Sequence, residues 1–89
     1  MKIKDGFVVE KVGGNYLAVA VGDRAEEINA LIKMNSTGAY LWELLSEKDL
    51  TEAEAADTMA KEYGIDLEIA RRDVTAFTAK LRASGLLDE

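Results

Sequence analysis

An α+β fold in which strands lead and helices follow is what this chain predicts. Three observations carry that prediction. The first 34 residues hold β-branched and aromatic runs separated by glycine turns. From residue 35 onward, apolar residues recur at helical spacing. No proline and no linker-like stretch interrupts the 89 residues, so one domain spanning 1–89 is expected.

The elements follow in order. FVVEKV and YLAVAV read as the two arms of a hairpin, and Gly13-Gly14-Asn15 between them supplies the positive φ of a tight turn. A second turn at Gly22-Asp23 leads through Arg24-Ala25-Glu26 to a third apolar run. There Ile28, Ala30, Ile32 and Met34 alternate with Glu27, Asn29, Leu31 and Lys33, the period-two signature of a half-buried strand. Asn35 or Ser36 can cap a first helix, whose face is Gly38, Leu41, Trp42 and Leu45. Thr51-Glu52-Ala53-Glu54 is a capping box opening a second helix, with Ala56, Met59, Ala60 and Tyr63 on its face and Gly64 as its stop. Asp66 caps a third helix with the stripe Ala70, Val74, Phe77 and Leu81, and Gly85 ends it. Leu86 and Leu87 are expected to fold back onto the core. The whole is a three-stranded antiparallel N-terminal meander followed by three helices, winged-helix-like, with Trp42 buried at their junction.

Composition narrows the chemistry. The chain has no cysteine, which excludes disulfides and thiolate metal sites. It has no histidine, which removes the usual general base and the usual metal ligand. No nucleophile-and-base spacing stands out among Asp, Glu, Lys, Tyr and Ser, and Gly13-Gly14 lies in a hairpin rather than between a strand and a helix. The acidic groups between Glu43 and Glu62 read as a solvated surface. An enzyme is not expected, and neither is a cofactor. The N-terminal MKIKDGF has no apolar h-region, and no apolar run approaches spanning length. A soluble, cytoplasmic domain without a membrane partner is expected.

Charge argues against nucleic acid. Eleven basic residues face seventeen acidic ones, a net of −6, whereas affinity for DNA or RNA comes largely from neutralising phosphate. Residues 26–63 alone hold three basic and nine acidic groups. The last two helices have the rhythm of a helix-turn-helix, with Arg71 and Arg72 early in the would-be recognition helix. A winged-helix transcriptional regulator is therefore the alternative reading, but two arginines do not offset that acidic field. A peptide ligand fits better. The third strand is an edge that feeds directly into a helix, a geometry suited to accepting a guest peptide as an added strand.

The ordered set of the N-terminal strand pair, IKMNSTGAYLWELL, T-x-x-E, EYGID and ARRDVTAFTAKLRASGLL resembles the coenzyme PQQ synthesis protein D family, the type member of the RiPP recognition elements. The IKMN-to-WELL join and the closing L-x-x-x-G-L-L are its most family-like parts. The resemblance implies a non-catalytic peptide chaperone. Such a domain captures the leader segment of a ribosomally made precursor peptide and presents it to a modifying enzyme, often a radical SAM protein. It leaves a homodimer open. By position, the leader would pair with Asn29, Ala30, Leu31, Ile32 and Lys33, and Val74 and Phe77 would begin the apolar lining on the third helix. Arg71, Thr75, Thr78 and Arg82 repeat at i, i+4, i+7, i+11 beside that stripe and are expected to meet acidic groups on the leader. At 46–49 the chain reads Ser-Glu-Lys-Asp, where members devoted to PQQ tend to have a short Cys-Asp-Gly-like turn. Leader binding is thus expected, with another peptide-modification cluster as the alternative to PQQ.

Overall fold

The computed structural model describes residues 1–28 and 31–89. Its elements in chain order are β1 (Lys2–Ile3), β2 (Phe7–Val12), β3 (Asn15–Ala20), α1 (Asp23–Glu27), β4 (Leu31–Met34), α2 (Ser36–Glu47), α3 (Glu52–Tyr63), α4 (Leu67–Ala83) and β5 (Leu87–Asp88). The meander forms as expected: β2, β3 and β4 make an antiparallel sheet in that order. Val9 faces Ala18 across β2 and β3, and Ala18 faces Ile32 across β3 and β4.

Two features depart from the sequence reading. Asp23–Glu27, which reads as a turn followed by the start of the third strand, is a short helix. Arg24, Ala25 and two glutamates are good helix formers, and the Ile28 N–H donates to the Arg24 carbonyl at 2.9 Å. Glu27 therefore lies in α1, where it pairs with Arg24 at 2.8 Å, and is not part of the strand. The second departure is a two-stranded sheet that joins the chain ends, with Lys2 facing Asp88 and Ile3 facing Leu87. Ile3 and Leu86 are buried there, so the Leu86 side chain does return to the core.

Arg24 also explains the turn into β2. Its Nε donates to the Asp5 carbonyl at 2.8 Å and its guanidinium pairs with the Asp5 carboxylate at 2.9 Å. Gly6 lies under that arm at φ 89°, where a Cβ would come within 2.6 Å of the Arg24 Cβ. Only glycine tolerates both conditions.

The helices are capped as read. The Asn35 side chain accepts from the Gly38 N–H, Thr51 and Glu54 form a reciprocal box, Gly64 is left-handed at φ 62°, and Asp66 accepts from the Glu68 N–H. The core is drawn from one face of the sheet (Ala18, Ile32, Met34) and from Leu41, Trp42, Leu45, Met59, Val74 and Leu81. Trp42 is 5% exposed and meets Phe7 edge to face with ring centroids 5.5 Å apart. Tyr63, read as part of the α3 core face, is instead half-exposed and stacks edge to face on Tyr40. Ala55 takes the buried position on that helix.

Candidate functional site

β4 is an edge strand of the sheet. Its alternation is clean: Ile32 and Met34 are buried, and Leu31 and Lys33 are exposed. Its last residue is followed at once by the Asn35 cap of α2. The strand is thus held by core side chains on one face, by β3 along one edge and by a capped helix at its end.

α4 reaches the other edge of β4 through Lys80. The Lys80 ammonium donates to the Lys33 backbone carbonyl at 2.8 Å. That carbonyl accordingly points away from β3, and the facing pair Leu17 and Lys33 is of the non-hydrogen-bonded type in the antiparallel ladder. Because the pattern alternates, Leu31 and Lys33 direct their N–H and C=O groups outward, whereas Ile32 and Met34 spend theirs on β3. Next to the end of this strand, between the start of α2 and α4, lies a groove lined by Asn35, Thr37, Gly38, Leu41, Asp73, Ala76, Phe77 and Lys80. Gly38 lets the two walls approach: a Cβ there would be 3.1 Å from the Met34 Cβ and 3.5 Å from the Phe77 ring.

The structure brings together only part of the expected residue set. Leu31, Ile32, Lys33 and Phe77 share the β4 side of the molecule, although Ile32 presents a buried side chain. Asn29 and Ala30 lie outside the described residues. Val74 is fully buried and belongs to the core. The polar flank of α4 faces elsewhere. Thr78 is fully buried, and its hydroxyl donates to the Glu52 carboxylate at 2.7 Å, which turns this flank toward α3. Arg82 shares it and is held by Glu89 through two hydrogen bonds of 2.7 and 2.9 Å. Those bonds to Glu89 raise the Arg82 pKa above its ordinary value, with the Glu89 and Glu52 charges adding to the effect; reciprocally, they lower that of Glu89. Arg71, exposed like Thr75, pairs with Glu68 at 3.6 Å. Helical periodicity puts Arg71, Thr75, Thr78 and Arg82 on one flank and Asp73, Phe77 and Lys80 on the other. The second flank faces the strand.

Sequence reasoning missed Asp73 and Lys80. The i, i+4, i+7 spacing of Asp73, Phe77 and Lys80 is as regular as that of the arginines. Either flank of the apolar stripe satisfies the period, so only the packing direction of α4 separates them.

The fold is similar to that of a solved structure described as TbiB1 in complex with the TbiA(beta) leader peptide, with a TM-score of 0.70 and 24% sequence identity over 99% of this chain and 95% of that one. No curated protein matches the chain by sequence. The profile of the family described as coenzyme PQQ synthesis protein D (PqqD) matches residues 16–87, a span that takes in β3, β4, α2 and the whole of α4. The chain belongs to the coenzyme PQQ synthesis protein D family.

Proposed function

We propose that this protein is a non-catalytic peptide chaperone. It captures the leader segment of a ribosomally made precursor, as a fourth strand on the β4 edge, and presents it to a modifying enzyme of the radical SAM class. The observation that carries the reading is the outward-facing backbone of Leu31 and Lys33, with Lys80 of α4 reaching it and a groove of mixed polarity between α2 and α4 beside the strand's end. Family membership and the likeness to a leader-bound structure support it.

Magnitudes divide the labour within the groove. Each added strand bond contributes about 0.5–1.5 kcal/mol net. Ordering each guest residue costs about 1–2 kcal/mol. Backbone pairing therefore sets register and adds little affinity. Micromolar binding requires about −8 kcal/mol. Most of it must come from leader side chains buried against Gly38, Leu41 and Phe77, at about 1.5–3 kcal/mol each. A guest N–H opposite Lys33 would take the carbonyl that Lys80 now holds, which leaves the ammonium free to meet a carboxylate on the leader.

The test is an NMR titration with a synthetic peptide matching the leader segment of a candidate precursor. Amide shifts are expected at Leu31, Lys33, Gly38, Phe77 and Lys80. Shifts confined to the exposed face of α3, or to the opposite sheet edge at β2, would refute the assignment of the groove.

A further inference from the structure

The helices cover one face of the sheet, and the other is unusually apolar. An antiparallel sheet with one solvated face normally alternates apolar-in with polar-out. Here the register sets Val8, Val19 and Leu31 side by side in one row across the outer face, and Glu10, Leu17 and Lys33 in the next. Val8 is 43% and Leu31 63% exposed, although both are large and apolar. Val19 between them is half-buried, and exposed apolar side chains gathered on one face in this way suit an interaction surface. Neither the core nor the groove uses it, because the groove needs only the backbone edge of β4.

We propose that this face is covered by the same face of a second copy of the chain, related by a two-fold axis running along β3. The charges select both the partner and the axis. Glu10 and Lys33 flank Leu17 symmetrically, on β2 and β4, with opposite signs. Among the described residues neither side chain takes part in an ion pair within the chain. Rotation about β3 lays β2 of one copy over β4 of the other. Glu10 then meets the Lys33 of the second copy, twice, and Val8 meets Leu31, twice. An axis across the strands would instead stack Glu10 on Glu10 and Lys33 on Lys33. A closed two-fold interface requires such self-complementarity, and the proposed stacking is the aligned packing that two sheets adopt at about 10 Å. The patch spans three short strands, on the order of several hundred Å² per copy. That is below the roughly 800 Å² per partner of a standard interface, so the dimer forms at high protein concentration and dissociates on dilution. Both β4 edges stay uncovered in it, since the stacking uses side chains and leaves the outward backbone groups of Leu31 and Lys33 untouched.

Sedimentation of the whole chain over a range from about 10 μM to about 1 mM tests the proposal. The expected result is a concentration-dependent rise toward twice the monomer mass. Glu10→Lys alone and Lys33→Glu alone each convert two attractive contacts into two repulsive ones, and each should weaken association about tenfold. The double variant E10K/K33E should restore it. Both positions are exposed, and circular dichroism on each variant checks that the fold is kept. A wild-type chain that remains monomeric at the highest concentration would overturn the proposal and leave the face to a different protein. Single variants that associate like wild type, or a double variant that fails to recover, would overturn the two-fold arrangement.

Discussion

At the scale of single residues, burial and charge separate side chains that sequence spacing treats alike. Trp42 joins the sheet and α2 through Phe7, so Trp42→Ala should cost about 3–5 kcal/mol. That is a large part of the stability of a domain this size, and it should appear as a loss of cooperative thermal unfolding in circular dichroism. Lys80 and Arg82 are two positions apart, yet they face different neighbours, Lys33 in the one case and Glu89 in the other. Lys80→Glu should accordingly weaken an acidic leader roughly tenfold and reduce the salt dependence of binding. The Arg71→Glu, Arg82→Glu pair, on the α3 side, should change leader affinity much less. Fluorescence anisotropy with a labelled leader compares the two variants directly, and equal losses would return the cationic contact to the arginine flank.

At the scale of elements, the direct join of β4 to α2 is what keeps the strand edge in place. Asn35 ends the strand and caps the helix, and the Gly38 N–H that it caps belongs to the residue flooring the groove. Gly38→Val would press on Met34 and Phe77, with an expected cost of about 1–3 kcal/mol, and would fill the groove as well. Denaturant unfolding should show the first effect and leader titration the second. Leu31→Pro removes one outward N–H and imposes a φ near −65°. Leu31 is exposed and does not bond to β3, so the fold should survive, as circular dichroism can verify, while leader binding is lost. A folded Leu31→Pro protein that binds as wild type would show that the edge is not used.

At the scale of the whole molecule, charge and topology decide what can approach. The net charge of −6 should prevent micromolar binding to mixed duplex DNA even at low salt, and a mobility-shift titration is the check. The β1–β5 pairing ties both chain ends to the core, with Ile3 and Leu86 buried beside each other's strands. Leu86→Ala should therefore cost about 2–5 kcal/mol and lower the unfolding midpoint of the entire domain rather than fray its tail.

Local chemistry made most of this architecture legible from the sequence alone. The glycine turn at 13–14, the Asn35, Thr51 and Asp66 caps, the Gly64 stop and the alternation from Leu31 to Met34 each depend on neighbours within a few residues. Family-like motifs from the N-terminal strand pair to the closing Gly85-Leu86-Leu87 pointed to the same fold. Two kinds of feature depended on contacts made only after folding. Asp23–Glu27 is too short to be a helix by itself and is secured by Arg24 reaching back to Asp5; Lys2–Ile3 becomes a strand only because Leu87–Asp88 returns beside it. The groove is the second case. Periodicity defines two polar flanks on α4 without ranking them, and the stripe between them fixes only which side is buried. The packing of Thr78 toward Glu52 sets the rotation of that helix. By turning Arg71 and Arg82 toward α3, it leaves Asp73, Phe77 and Lys80 facing the open strand, because a helix rotated about its axis to bury one side chain must carry the opposite flank to the opposite neighbour.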